Sequence, residues 1–193
     1  MQEEFFSVVH SLPVNVIPVE SGHLPSLEEL EAEMPEPFRI ASAISTIDIG
    51  TSRLLRSQAG EHLQELIEII NQQSRKIDLI MGYVLAAQDH VEHRFHTVRF
   101  GAGELHYLFP PEGHGPSPQP GQLKRLKIFL RDEASAVYCY GRVKTVTPGQ
   151  HGLHVVLEYA RIREEDRELL VRASLHVQSR QLKQRAADRY RHP

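Results

Sequence analysis

The feature that most constrains this chain is a seven-residue repeat of apolar side chains between Leu63 and Val91. One heptad position holds Leu63, Ile70, Ile77, Val84 and Val91, and the other holds Leu66, Gln73, Ile80 and Ala87. A 3.5-residue period sustained over four heptads is typical of a helix that supercoils with partner helices. We therefore predict a coiled-coil helix over about residues 53–95 and a homo-oligomer joined along these positions.

An alternative is one long helix packed along the core of its own domain. A helix over residues 58–95 would be roughly 55 Å long, which exceeds the width of a small domain, so length favours self-association. The flanking positions indicate how many helices associate. They carry apolar side chains where a two-stranded coiled coil would carry charges: Ile67, Ile69, Met81 and Tyr83. Isoleucine at both core positions also favours three or four strands, and Gln73 is either solvated or part of a hydrogen-bonded layer that fixes register.

Composition and charge exclude several classes of function. The formal net charge is −3, which argues against a protein that binds nucleic acid through phosphate contacts. The basic residues within 161–193 alternate with acids and apolar residues, which favours a solvated helix face over an RNA or membrane contact. No apolar run approaches the ~18 residues of a membrane span. With the single Cys139 there is no disulfide framework or cysteine-based zinc site, and we expect a cytoplasmic protein with Cys139 in its core.

After the heptads the apolar period changes from 3.5 to 2. Four alternating sets are separated by turn residues: Leu105/Tyr107/Phe109, Leu126/Ile128/Leu130, Val137/Cys139/Gly141/Val143/Thr145 and Leu153/Val155/Leu157/Tyr159. Strict alternation with short connections predicts antiparallel strands with one buried face. Together with an extended segment at Phe5–Val19, this gives five or six strands, enough for a small closed barrel.

The helices complete a single α+β domain over residues 1–193. A helical insertion is predicted over residues 25–97 and begins with a short helix at Leu27–Met34, capped by Ser26 and Glu29; Phe38–Ile49 stays ambiguous. The main barrel strands are predicted within residues 98–163. A C-terminal helix over residues 164–187 follows, with a packing stripe on one face: Leu169, Leu170, Ala173 and Val177.

The chain lacks the motifs that would indicate an enzyme. It contains no phosphate-binding loop, no dinucleotide fingerprint and no nucleophile elbow. His90, His93 and His96 are spaced by three, whereas paired metal ligands on a helix are usually four apart, so a polar helix end is favoured over a metal site. We predict a non-catalytic protein with no metal and no cofactor.

Two segments carry a resemblance to a known family. The stretches LKIFLRDEASAVYCYGRVKTV at Leu126–Val146 and IREEDRELLVRASLHVQSRQ at Ile162–Gln181 resemble the atypical PilZ family of bacteria such as xanthomonads. QSRKIDLIMGYVL at Gln73–Leu85 resembles its tetramerising helix. The resemblance covers nearly the whole chain and implies a six-stranded antiparallel PilZ-like barrel with an inserted long helix, assembled as a parallel tetramer.

PilZ domains are cyclic di-GMP receptors, and their usual ligand motif is altered in this sequence. The family pattern is Arg-x-x-x-Arg followed by a polar Asp/Asn-x-Ser-x-x-Gly turn. Arg94 and Arg99 are five apart, and Gly101–Leu105 stands at the turn without Asp, Asn or Ser. The resemblance therefore implies an oligomeric adaptor that acts through an unidentified protein partner in cyclic di-GMP or type IV pilus-linked regulation, with cyclic di-GMP binding weak or absent. The alternative is a receptor with a non-standard site built from Arg94, Arg99, Arg180 and Arg185.

Overall fold

The computed structural model describes residues 7–57, 64–112 and 115–191. Seven strands are present there: β1 (Ser7–Val9), β2 (Pro13–Pro18), β3 (Arg94–Gly101), β4 (Glu104–Phe109), β5 (Leu123–Leu130), β6 (Ser135–Gly149) and β7 (Gly152–Arg161). Four α-helices accompany them: α1 (Leu27–Glu33), α2 (Glu36–Ser57), α3 (Gln64–Ala86) and α4 (Glu164–Arg191). None of the helices in these ranges is both long enough and apolar enough to cross a membrane.

The strands close into an antiparallel barrel. Strands β3, β2, β5, β6, β7 and β4 pair in that order, and an additional β3–β4 pairing closes the ring. The short strand β1 lies beside the end of β3, with Val8 opposite Phe100. The six-stranded antiparallel barrel that the family resemblance implies is therefore confirmed, in agreement with the five or six strands of the alternating pattern, and β1 is one strand more than the barrel needs.

The barrel interior is filled by the alternating side chains. Leu126, Ile128 and Cys139 are fully buried there, as the period of two predicts. Helix α4 packs against the same core through the predicted stripe of Leu169, Leu170, Ala173 and Val177. Burial in this apolar core raises the pKa of the Cys139 thiol well above its ordinary value, so the thiol stays protonated and packs as a small apolar group.

A second core lies on the outer face of β5 and β6. Phe129, Tyr138 and Phe38 are buried together there, and the Phe38 and Tyr138 rings meet edge to face with centroids 5.9 Å apart. The sequence predicted one buried face for these strands, but the helices of the insertion cover the other face as well. Helix α1 begins with the predicted cap, in which the Glu29 amide donates to Ser26 Oγ at 3.2 Å, and it packs on this core through the buried Leu30.

The insertion differs from its predicted boundaries. The segment Phe38–Ile49, which the sequence left ambiguous, is helical and lies within α2, which begins at Glu36. The helix predicted to continue to residue 95 ends at Ala86, so α3 is about 35 Å long. A short 3₁₀ turn at Val91–His93 follows, and β3 starts at Arg94 rather than near residue 98.

Candidate functional site

Most of the described heptad positions on α3 are exposed in the single chain. Leu66, Ile77 and Ile80 are 50%, 46% and 63% exposed, while Ile70 and Val84 are partly buried. Exposed aliphatic surface costs free energy that burial against an apolar partner recovers. Because these side chains recur on one side of a helix, the face is suited to another helix rather than to a small ligand.

The remaining predicted heptad positions add no described apolar surface to α3. Leu63 falls outside the described residues, and Gln73 is exposed within α3. Ala87 and Val91 lie past the end of α3, in the segment that leads to β3. The helical prediction was wrong for these two positions, because the chain there must turn to enter the barrel.

The wide apolar stripe on α3 serves more than one contact. Met81 and Leu85 are buried in the second core against the helix-covered face of the barrel, whereas Ile69 and Tyr83 are exposed, Tyr83 to 82%. The alternative in which the helix packs on its own domain is therefore correct for one side of α3. The other side has no covering residues within the described part of the chain.

Arg94 and Arg99 both lie on β3, and each has a partner. Arg94 Nε donates to the Asp89 carboxylate at 2.9–3.0 Å, and Arg99 Nη1 donates to Ser7 Oγ at 3.1 Å. A register shift between Thr97 and Arg99 changes the alternation of the strand, and both arginines are exposed. The structure thus places both guanidinium groups on the barrel surface, where each already has a hydrogen bond.

The turn from β3 to β4 is fixed by the elements around it. Arg167 Nη1 of α4 donates to the carbonyl of Ala102 at 2.6 Å, and the Tyr159 amide of β7 donates to the carbonyl of Gly103 at 3.0 Å. Two carbonyls of the Gly101–Leu105 segment are therefore already hydrogen-bonded within the domain.

A carboxylate occupies this turn as well. Glu104 accepts from Lys144 at 3.1 Å and contacts His106 at 3.0 Å. Burial alone would raise the pKa of Glu104, but these two hydrogen bonds outweigh it and hold the pKa below its ordinary value. The carboxylate is consequently ionised at neutral pH and opposes the approach of an anionic ligand.

A cavity lies between α4 and one end of the barrel. It has a volume of about 690 Å³, an apolar floor that includes Leu12, Phe100 and Val177, and a polar rim. Rim charges are largely paired, since Arg180 contacts Asp132 at 2.6 Å and His176 contacts Glu133 at 2.7 Å. Apolar lining with a few polar groups is typical of a ligand cavity.

The four arginines of the alternative receptor site do not share this cavity. Arg180 lines it, whereas Arg94, Arg99 and Arg185 are not among its lining residues. Arg185 lies further along α4 on an exposed turn. The structure therefore brings Arg94 and Arg99 onto one strand but does not bring all four guanidinium groups around one cavity.

A junction between α3 and the barrel escaped sequence reasoning. The Asn15 side chain is fully buried; its Nδ2 donates to Asp89 Oδ1 at 2.9 Å and its Oδ1 accepts from the His90 amide at 2.8 Å. Asp89 also binds Arg94, so one network joins β2, β3 and the end of α3. The only signal in the sequence is one amide side chain inside the otherwise apolar Pro13–Pro18 strand.

Three histidines lie at three-residue spacing near this junction. His90 precedes the 3₁₀ turn that contains His93, and His96 lies on β3. Within the described residues, no group of three or more His, Cys, Asp or Glu side chains is arranged to hold a metal ion.

Comparison with solved structures identifies the architecture. Over 94% of this chain and 92% of the other, the fold matches a pathogenic protein from Xanthomonas campestris with a TM-score of 0.55 and 15% sequence identity. That protein is described as a tetrameric PilZ domain self-assembled through a helical bundle. The fold of this chain is that of a PilZ domain. The resemblance inferred from the sequence is confirmed at this level.

A second structural match is partial. The inhibitor of motility MotI/DgrA from Bacillus subtilis aligns with 45% of this chain and 42% of its own length, at 22% identity and a TM-score of 0.41. No protein-family model matches this chain, and no curated protein does.

Proposed function

We propose that this PilZ-fold protein is a non-catalytic, cytoplasmic signalling adaptor that forms a parallel homotetramer and acts through protein partners in cyclic di-GMP or type IV pilus-linked regulation. The observation that carries the proposal is the exposed heptad face of α3, with Leu66, Ile77 and Ile80 each about half exposed in the single chain. A helix of this kind is stable in water when partner helices cover its apolar face. The Xanthomonas protein with a similar fold assembles through a helical bundle.

The second part of the proposal is that the usual cyclic di-GMP site is missing. Arg94 and Arg99 are engaged by Asp89 and Ser7, and Glu104 carries negative charge at the turn where a small polar group would receive the ligand. A bidentate arginine–guanine contact contributes about 1–3 kcal/mol of base discrimination, and the contacts to Asp89 and Ser7 already occupy one nitrogen of each guanidinium.

Binding through protein partners follows from the oligomer. A tetramer presents four copies of each barrel surface, so weak contacts to a multivalent partner gain avidity. The candidate surfaces are the proline-rich loop between β4 and β5 and the exposed, arginine-rich side of α4, because loops and charged helix faces often carry recognition.

Calorimetric titration of the full chain with cyclic di-GMP tests the ligand half of the proposal. We expect no saturable heat, and a dissociation constant in the micromolar range or below contradicts it. The receptor alternative then applies, and it is supported by the 690 Å³ cavity beside Arg180. In that event, separate Arg94→Ala/Arg99→Ala and Arg180→Ala/Arg185→Ala variants show which pair contributes to binding.

Affinity capture from the source bacterium tests the adaptor half. Wild type and a variant with a disrupted α3 face are compared with the same tag and at the same barrel concentration. We expect a specific protein to be recovered with the wild type and several-fold less of it with the variant, because avidity is lost while each barrel stays folded. Equal recovery would leave the helical assembly with no role in partner binding.

A further inference from the structure

Helix α4 extends well beyond the barrel that supports it. Its last buried side chain is Val177, and every side chain from Leu182 to Asp188 is exposed, although the helix continues to Arg191. The part of the helix after Val177 is roughly 21 Å long. An isolated helix of that length is marginal in water, so the second half of α4 would be stabilised by a surface that covers it.

The solvent side of α4 carries a second apolar stripe. It consists of four residues at intervals of four, seven and four: Val171, Leu175, Leu182 and Ala186. Leu175 and Leu182 are 47% and 59% exposed. With 3.6 residues per turn, they lie on the side of the helix opposite to Ala173 and Val177, which pack on the barrel. A helix with apolar residues on two opposite sides is suited to packing between two surfaces.

The charges along α4 are polarised. Residues 164–171 carry four acidic side chains and one basic side chain, whereas residues 180–191 carry five basic and one acidic. Part of each set is paired within the chain, but Glu168, Lys183 and Arg185 are exposed. Two parallel copies of this helix would bring like charges together. Two antiparallel copies bring the acidic half of each helix beside the basic half of the other, which is favourable.

A second copy of α4 in the antiparallel orientation satisfies both patterns at once. The register is set by Leu175 of each copy facing Leu182 of the other. Val171 then faces Ala186, and Gln178 lies beside the two-fold axis. The unsupported second half of each helix is placed on the first half of the other, which the barrel supports. A contact of this kind uses the same surface twice and closes as a pair.

We propose that the solvent side of α4 is an interface with a second copy of this chain, in which two α4 helices pack antiparallel. The apolar area is small, since its centre is four leucine side chains that are each about half exposed, so we expect the pairing to be weak in isolation. Several such contacts acting together would gain avidity. The interface uses no residue of α3, so it does not depend on the proposed function.

Disulfide trapping in the full-length chain tests the pairing. The native Cys139 is buried and gives no background. Gln178→Cys places two cysteines beside the two-fold axis, within the Cα separation of up to about 7 Å that a disulfide can bridge. Lys183→Cys is the matched control, because in the same register its two copies are roughly 13 Å apart along the helix axis. After mild oxidation with copper phenanthroline, we expect at least about fivefold more covalent dimer with Gln178→Cys.

Two additional variants show which surface brings the cysteines together. Leu175→Asp and Leu182→Asp, added together to Gln178→Cys, should reduce the covalent dimer to the level of the control. Both leucines are exposed, so circular dichroism should stay unchanged. Gln178→Cys is also oxidised in the Ile77→Asp/Ile80→Asp background, which removes the contact through α3, and the cross-link should persist there.

The proposal is overturned by equal cross-linking of Gln178→Cys and Lys183→Cys, which would indicate random collision. It is overturned equally by the absence of any cross-link, which would mean that water or another protein covers this side of α4. Loss of the cross-link in the α3 variant would mean that α3 alone brings the helices together, and efficient cross-linking of Leu175→Cys with itself would indicate parallel helices. A Gln178 cross-link in a protein that shows no α3 assembly would contradict only the proposed function.

Discussion

Replacing Ile77 and Ile80 together by aspartate should dissociate the oligomer without unfolding the domain. In the single chain both side chains are about half exposed, at 46% and 63%, and neither belongs to the two buried cores. A carboxylate at these positions therefore stays hydrated in the monomer. Any loss of assembly can then be attributed to the surface between helices.

The expected effect is large. Complete burial of an isoleucine side chain contributes about 1.5–3 kcal/mol. Because about half of each side chain is exposed in the single chain and can be buried on assembly, each position contributes roughly 1 kcal/mol to association. Two positions in four chains then supply about 8 kcal/mol, which is between five and six powers of ten in the association constant. Aspartate removes this gain and adds the cost of burying unpaired charges, several kcal/mol each.

Light scattering coupled to size-exclusion chromatography measures the result directly. Wild type should elute at the mass of a tetramer and the double variant as monomer or dimer, with unchanged circular dichroism. Leu79→Asp is the matched control, because Leu79 is 76% exposed but lies off the two heptad positions. A double variant that keeps the wild-type mass would refute an interface along the heptad positions. Dissociation by Leu79→Asp alone would place the interface on another face of α3.

Three further predictions concern stability and can be measured by chemical or thermal unfolding of the full chain. Arg163→Ala should cost about 3–5 kcal/mol, because it leaves the buried Asp166 carboxylate without the guanidinium that contacts it at 2.8–2.9 Å; a loss below 1 kcal/mol would contradict this. Gly152→Ala should cost at least about 1–3 kcal/mol, since φ is +126° and a Cβ would lie 2.2 Å from the carbonyl oxygen of Phe109. The partners of Glu104 lower its pKa, so the ionised carboxylate stabilises the fold above its ordinary pKa of 4.5, and this contribution is lost as the pH falls through the lowered value. Glu104→Gln should therefore reduce the loss of unfolding free energy at acidic pH. An unchanged dependence of stability on acidic pH would argue against this role.

The barrel could be predicted because its chemistry is local. Each strand carries its own alternation of apolar and polar residues. When one face of the sheet is apolar, a shift of one residue would expose that face, so the pattern fixes which side chains point inward. Leu126, Ile128 and Cys139 are inward-facing in the structure as the pattern required. The stripe on α4 was predictable for the same reason, since four apolar positions at helical spacing leave one face to bury.

The insertion was less predictable because its boundaries depend on contacts far apart in sequence. A heptad pattern continues through Ala87 and Val91, and local propensity does not oppose a longer helix. The chain that follows α3 is held instead by the buried Asn15 on β2, which binds Asp89 and the His90 amide across 74 and 75 residues. The second core on the outer face was hard to predict for a similar reason. Tyr138 and Phe129 occupy outward-facing positions in the strand alternation, and they are buried because α1, α2 and α3 pack over them.

These long-range contacts bear directly on the proposed assembly. Met81 and Leu85 fix one side of α3 to the barrel, and the Asn15–Asp89–Arg94 network fixes its end. The heptad residues Ile77 and Ile80 stay exposed beside that contact, so helix pairing would set the orientation of each barrel together with its position. A flexible link at the end of α3 would lose that orientation while keeping the mass of the oligomer. Asn15→Ala should therefore weaken recognition of a multivalent partner more than it weakens self-association, and the combination of light scattering and affinity capture separates the two effects.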